Sequence, residues 1–347
     1  MSVDLFDTGK PVESATELYG PFAAVVDALH PLSCEAVART VRRIELALPD
    51  EPLGAAASRM GWRKVGALAV VDGGRLVGSL SEDDLLRVTA LRLGERAAAV
   101  DDHGGSLVVW DALLEKLTVA DAMTPRRQLP VVAPGAPLVA GIEQICTPTV
   151  HGTRFRYLWV LDEREQVAQV LSIRDVARGL TRLYDGEFGA DAFGGESALG
   201  EARAAVAVVL DLSIKTIRER LAVGHSPSVV RVDASGAQTI ARMWSDRRGY
   251  VLTTLRDGAP LGICTRRDLL RGLRNPCVDL DGLRVAQLMT SPVKTVSDLN
   301  TLCAVFKLMA IEGCRHMPLV DASDRVVRMV SMWEGVSLFA PRRGAGG

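Results

Sequence analysis

The sequence predicts a mixed α/β fold (α+β in its segregation of elements) made of four copies of one small unit. Three observations lead there. First, a hydroxyl residue, two variable residues and an acid recur as Ser81-Glu82-Asp83-Asp84, Ser172-Ile173-Arg174-Asp175, Thr265-Arg266-Arg267-Asp268 and Ser331-Met332-Trp333-Glu334. Second, each copy follows a β-like run, such as 75–80 or 259–264, and opens a helical segment, such as 85–88 or 269–271. Third, the acids are spaced regularly: 91 residues from Asp84 to Asp175, 93 from Asp175 to Asp268 and 66 from Asp268 to Glu334. The last interval approximates the bare unit, and the two longer ones hold inserted connections.

In the first unit Pro52 stands where a helix begins, with Leu53, Ala57 and Met60 inward and Gly61 at its end. Strands are expected over 68–72 and 75–80 around Gly73-Gly74. Residues 90–116 read as an insertion, with 101–106 as its loop. In the second unit Ala122-Met123-Thr124-Pro125 matches Leu288-Met289-Thr290-Ser291 of the fourth. Pro137 starts a helix, and strands over 156–161 and 166–171 follow. The stretch 184–200, with five glycines and two phenylalanines, reads as a linker between two pairs of units. In the third unit Ser235 caps a helix carrying Ile240, Met243 and Trp244, and strands over 250–255 and 261–264 flank Asp257-Gly258. The fourth unit runs through a short helix over 285–290, an extended piece from Pro292 to Val296, and a helix capped by Asn300 and stopped by Gly313. Strands over 316–321 and 325–330 then lead into Ser331.

The expected division is a poorly ordered 1–20, a first pair over 21–183 (units about 30–90 and about 118–183), the linker 184–200, a second pair over 201–340 (units about 212–274 and about 284–338) and a disordered tail 341–347. Hydrophobic residues make up 48% of the 347 and charged residues 24%, enough apolar material for a real core. With 41 basic and 42 acidic residues the formal charge is −1, which gives no general attraction to nucleic acid or to a membrane surface. The six cysteines form no CxxC pair and suit a reducing compartment. The longest plain apolar run, 204–210, is too short to span a bilayer, and Met1 to Lys10 lacks the apolar core of a secretory signal, so the expected location is cytoplasmic. No GxSxG, Walker loop, GxGxxG after a strand, HExxH or Cys/His metal set occurs, so the expectation is a binding protein and not an enzyme, with no cofactor and no metal.

Leu288-Met289-Thr290, Arg315-His316-Met317-Pro318-Leu319-Val320-Asp321 and Ser331-x-x-Glu334 together resemble a cystathionine-beta-synthase (CBS) domain, as do Leu76-Val77-Gly78-Ser79-Leu80-Ser81 with Asp84-Leu85-Leu86. The resemblance runs from about residue 30 to residue 338 and is weakest in the second unit. Four such motifs in one chain are similar to the gamma subunit of AMP-activated protein kinase and related four-motif proteins. The resemblance implies four CBS motifs paired into two pseudo-two-fold CBS-pair (Bateman) modules, with clefts between motifs. It implies an adenine nucleotide (AMP, ADP or ATP) as regulatory ligand and a regulated protein partner in trans, a kinase or another enzyme; a homodimer stays open. By matched position the ribose acids are Asp84, Asp175, Asp268 and Glu334, the hydroxyls Ser81, Ser172, Thr265 and Ser331, and the phosphate contacts Arg315, His316, Arg248 and Arg156.

The chemistry supports that assignment independently. A carboxylate accepts two hydrogen bonds, matching paired ribose hydroxyls. A helix N-terminus and arginine forks attract phosphate. Hydroxyl-x-x-acid is equally a helix capping box, which prefers Glu, so Ser331-x-x-Glu334 favours the structural reading while Asp84 and Asp268 favour ribose. Units two and four carry Gln169 and Arg328 where units one and three carry Gly78 and Gly262, a difference expected to narrow a cleft in each pair. Of the tryptophans, Trp159, Trp244 and Trp333 are packing residues first and base-stacking candidates second, with Trp333 expected at a cleft mouth. Two other functions stay open: a scaffold or oligomerisation protein with degenerate ligand sites, and a sensor of another adenosyl ligand such as S-adenosylmethionine.

Overall fold

The computed structural model describes residues 24–38, 44–99, 114–147, 155–221, 227–272 and 278–341. The expected N-terminal disorder over 1–20, the loop 101–106 and the last six residues lie outside the described residues.

Each unit contains an antiparallel strand pair between two helices. In unit one, α1 (Leu53–Arg63) leads to β1 (Ala67–Asp72), β2 (Arg75–Ser81) and α2 (Glu82–Ala99). Unit two has α3 (Leu138–Cys146), β3 (Tyr157–Leu161), β4 (Val167–Ser172) and α4 (Ile173–Tyr184). The glycine-rich stretch that follows is not an open tether: a 3₁₀ turn (Ala190–Phe193) buries Phe193, and α5 (Glu196–Leu210) packs against α4. Unit three has α6 (Gly236–Ser245), β5 (Tyr250–Thr254), β6 (Pro260–Thr265) and α7 (Arg266–Gly272). Unit four has α8 (Leu302–Ile311), β7 (His316–Val320), β8 (Val326–Ser331) and α9 (Met332–Ser337).

The helix starts follow local chemistry. Ser235 accepts a hydrogen bond from the Gln238 amide, and Gln238 answers to the Ser235 amide, a reciprocal cap. Thr301, not Asn300, caps α8, accepting from the Ala304 amide. Asn300 lies one residue too early and accepts instead from the Ser297 amide. Gly61 does not end α1, which runs on to Arg63 and stops where Lys64 turns left-handed at φ 56°.

Register is the same in all four units. Ala67 faces Ser81, Tyr157 faces Ser172, Tyr250 faces Thr265 and His316 faces Ser331. A one-residue bulge interrupts each ladder near its outer end. Because register is shared, residues at matched positions occupy equivalent places around the molecule.

Two apolar cores cross between the pairs. Leu53, Met60, Leu68 and Leu85 of unit one pack with Ile240, Met243, Val251 and Leu269 of unit three. Ile142, Leu158, Val176 and Leu180 of unit two pack with Phe306, Met309, Met317 and Val336 of unit four. Smaller clusters lie between the sheets within each pair: Ala69, Leu76, Trp159 and Leu161 for units one and two, and Tyr250, Leu252, Ile263 and Met329 for units three and four. Burying each such side chain stabilises the fold by about 1.5–3 kcal/mol. Every unit thus contacts one neighbour through its sheet and another through its helices, and the four strand-to-helix junctions converge.

Gly78 and Gly262 serve this packing. A Cβ on Gly78 would lie 2.6 Å from the Met123 sulfur and 2.8 Å from the Thr124 carbonyl, and one on Gly262 would lie 2.5 Å from the Met289 sulfur. The glycines therefore admit the Met-Thr segment of the following unit, not open space for a ligand. Gly78→Ala is expected to destabilise the protein by about 1–3 kcal/mol, because a backbone carbonyl cannot retreat cheaply. Gly94→Ala, mid-helix and with nothing within 4 Å, should instead stabilise it by about 0.5–1 kcal/mol. Urea unfolding of both variants measures the contrast.

Candidate functional site

All four motif acids accept hydrogen bonds from the residue three before them, at the start of their own helix. One Asp84 oxygen (Oδ2) accepts from the Ser81 amide at 2.8 Å and the Ser81 hydroxyl at 2.6 Å. Asp175 does the same with Ser172 (2.8 and 2.6 Å), Asp268 with Thr265 (2.8 and 2.6 Å) and Glu334 with Ser331 (2.9 and 2.8 Å). These bonds therefore do not separate Glu334 from the aspartates. What separates them is the surroundings of the second carboxylate oxygen. In Asp84 it accepts from the Thr124 hydroxyl at 2.8 Å and lies 3.9 Å from Arg87. In Asp268 it meets Arg271 at 3.0 Å, and in Glu334 it meets Arg328 at 3.6 Å. Arg328 therefore sits on the unit-four acid itself. Asp175 is almost fully buried, at 1% exposure.

Asp84 and Ser81 line a cavity of about 50 Å³ between units one and two. Its walls also carry Ser79, Asp83, Arg87, Thr124, Gln128, Phe155, Arg156, Tyr157 and Trp159, with Trp244 reaching over from unit three. Two of the three tryptophans considered for stacking thus border the cavity. Trp159 is buried between sheets, and Trp244 is half-buried at the wall. Trp333 is not at this mouth: it packs in the core of units two and four, its indole N–H 3.4 Å from the Ile145 carbonyl. Burial raises the Asp84 carboxyl above its ordinary range, against the lowering effect of the Ser81 and Thr124 hydrogen bonds.

Next to this cavity lies a charged cluster drawn from all four units. Glu82 of unit one is 3% exposed. Its carboxylate meets Arg315 of unit four at 2.9 Å, Arg156 of unit two at 3.5 Å and Arg267 of unit three at 3.4 Å. Asp83 pairs with Arg156 at 3.3 Å and with Arg266 of unit three. Burial alone would push the Glu82 carboxyl up, but the charges of Arg315, Arg267 and Arg156 outweigh it and hold the group below its ordinary range. Arg315 is held above its usual value by Glu82 and the Tyr157 hydroxyl, against the opposing effect of burial. Arg156, buried and next to Arg315, is pulled down to about 9. Arg156 bridges the two carboxylates of the cluster, and it is also a wall of the cavity.

The shared register explains how the cluster forms. Arg156 and Arg315 stand just ahead of the first strand in units two and four, where units one and three have Gly66 and Gly249. Arg248 precedes that position by one residue. The residue after each motif hydroxyl is apolar in units two and four (Ile173, Met332) and charged in units one and three (Glu82, Arg266). The amides of Glu82 and Arg266 donate to the Gly66 and Gly249 carbonyls at 3.1 and 3.2 Å. A Cβ on Gly66 would strike the Tyr157 hydroxyl, and one on Gly249 the Arg266 guanidinium. His316 packs against Tyr250, ring centroids 5.0 Å apart and planes tilted by 43°, at the join of units three and four. Of the four expected phosphate contacts, Arg156 and Arg315 meet in one place, on a carboxylate.

Sequence reasoning missed Glu82, Asp83, Arg266 and Arg267, which occupy the variable positions of the motif. The available signal was their charge: Glu-Asp in unit one and Arg-Arg in unit three, each behind a glycine where the other units carry arginine. Among the described residues no group of three or more His, Cys, Asp or Glu side chains is arranged to hold a metal ion, and no helix is long and apolar enough to cross a membrane.

Four strand-pair units with junctions turned to a common centre define a tandem-repeat architecture. Residues 40–90 and 285–337, within units one and four, match the family model for the CBS domain. These two segments are CBS-domain matches, and units two and three repeat the same strand register outside the matched residues. Protein MJ1225 from Methanocaldococcus jannaschii, described as a candidate archaeal homologue of g-AMPK, is similar in structure with TM-score 0.66 at 14% identity, over 89% of this chain and 100% of that one. An uncharacterised conserved protein from Pyrococcus horikoshii has TM-score 0.51 at 12% identity, with the same coverage. These similarities concern the fold. The uncharacterised protein MK0525 from Methanopyrus kandleri is 26% identical over 121 residues, which is 35% of this chain and 59% of that protein's length.

Removal of the central carboxylate tests the cluster. Glu82→Ala is expected to cost about 3–5 kcal/mol, because it leaves buried arginines unopposed. Since the folded Glu82 carboxyl lies below its unfolded value of about 4.3, its contribution is present above that pH and is lost as pH falls through the folded value. Stability curves of the wild type and Glu82→Gln should therefore converge on acidification below about pH 4, measured by chemical denaturation across pH.

Proposed function

We propose that this chain is a regulatory sensor of an adenine nucleotide, bound in the clefts between CBS motifs, and that it controls a separate protein, such as a kinase or another enzyme. The observation that carries the reading is the cavity between units one and two. A ribose-type carboxylate, Asp84, shares its walls with four aromatic side chains and with the cations Arg87 and Arg156. A carboxylate offers about four acceptor sites. The Ser81 amide and hydroxyl and the Thr124 hydroxyl occupy three of them, and Thr124 can rotate away to make room for ribose hydroxyls. Phe155, Tyr157 and Trp244 supply faces for a base. Binding changes the partner only so far as the ligand prefers one conformation over another.

A second reading, a scaffold with degenerate sites, is favoured for the second pair of units by the Arg328–Glu334 contact at 3.6 Å, in which both side chains are largely buried. A different adenosyl ligand, S-adenosylmethionine, shares the ribose chemistry and belongs in the same titration.

Calorimetry with AMP, ADP, ATP and S-adenosylmethionine tests the proposal. At least one should bind, and Asp84→Ala should weaken it by about tenfold or more, the worth of hydrogen bonds to a charged group. No heat from any of the four with folded protein would overturn nucleotide sensing. Because ribose donors favour the ionised Asp84 and burial raises its pKa, affinity should fall on acidification, and should begin to fall at a higher pH than for an ordinary aspartate.

A further inference from the structure

We propose that the Glu82–Asp83 carboxylate pair limits the number of phosphates the ligand of the first cleft can carry, so that this site takes an adenosine-class ligand with no more than one phosphate. The inference rests on the nucleotide reading above and narrows it. Asp83 and Arg156 belong both to the cavity wall and to the central cluster, so the cavity borders the cluster directly. A phosphate reaching from the cavity towards Arg156 meets the one cluster cation on the cavity wall, a guanidinium already shared between Glu82 at 3.5 Å and Asp83 at 3.3 Å. Anything longer comes against carboxylates that already hold the other cations. Glu82 takes Arg315 and Arg267, and Asp83 takes Arg266. On the cavity wall itself, Asp83 and Asp84 face Arg87 and Arg156, so the formal charges there cancel. Arg87 is further committed to the Ala122 carbonyl at 2.6 Å.

Like charges in a poorly hydrated site repel strongly, which makes a fixed carboxylate an effective means of rejecting a polyphosphate. Glu82 thus acts as a built-in anion: arginines from units two, three and four converge on a side chain of unit one. Gly66 is the companion requirement, because a side chain there would collide with Tyr157 and crowd Glu82.

The experiment compares the affinities of adenosine, AMP, ADP and ATP for the wild type, Glu82→Gln and Asp83→Asn, and adds inorganic pyrophosphate alone as a second probe, read by thermal shift. The wild type should bind AMP about tenfold or more tighter than ATP. Each variant should shift the ATP-to-AMP affinity ratio towards ATP by about tenfold or more. Pyrophosphate should raise the melting temperature of Glu82→Gln and leave that of the wild type where it was. Asp83→Asn, whose carboxylate is a fifth exposed, keeps the test available should Glu82→Gln not fold. A wild type that binds ATP as tightly as AMP, or folded variants with an unaltered ratio, would overturn the proposal. If no nucleotide binds any of the proteins and pyrophosphate leaves Glu82→Gln unmoved, both the proposal and the nucleotide reading fail. If Glu82→Gln responds to pyrophosphate but binds no nucleotide, the carboxylate does stand in an anion position, and only the adenosine ligand is wrong.

Discussion

The molecule is organised around a carboxylate that it has to keep charged. Glu82 sits out of water at the convergence of four units, and a buried charge is tolerable only with partners. Those partners come from the other three units, so the ion cluster forms only when all four junctions are in place. The apolar cores explain why the units associate in pairs through helices and sheets. They do not by themselves fix the relative setting of all four, since apolar contacts are non-directional. Charged hydrogen bonds are directional, and the contacts of Glu82 and Asp83 supply that restriction at the one place the four units share.

The repeats are equal in backbone and unequal in chemistry. Units two and four present arginine ahead of the first strand and an apolar residue after the motif hydroxyl. Units one and three present glycine and a charge at those positions. Each arrangement fills the same small volume once, from one side or the other. The alternation also assigns roles. The motif acid accepts from the residue three before it everywhere, and whether it can do more depends on its second oxygen. Beside Asp84 that oxygen faces a cavity, a threonine hydroxyl and Arg87 at 3.9 Å; beside Glu334 it faces Arg328 at 3.6 Å.

Much of this was legible in the sequence. The fourfold hydroxyl-x-x-acid pattern located every strand-to-helix junction, and strand limits fell within a residue or so of the observed ones, because alternating apolar runs bounded by Gly73-Gly74 or Asp257-Gly258 leave little freedom. Asp84, Ser81 and Arg156 were singled out and lie on one cavity. The charged cluster was not legible, because it is made of residues in the variable slots of a local pattern, joined across as many as 233 positions of chain as in Arg315 and Glu82. The role of Gly78 was misread for a related reason: the Met123 sulfur that fills the space comes from the next unit. Trp333 and Trp244 were distinguishable only by which neighbour each helix faces. Local periodicity carries no information about that.

The most direct measurement is a crystal structure of the protein grown with AMP. The account predicts nucleoside density in the cavity between units one and two, its ribose on Asp84 and its phosphate at Arg156, with Glu82 still seated on Arg315. A phosphate lying between Arg156 and Arg315 with Glu82 displaced, or a nucleotide bound only in the second pair of units, would contradict it.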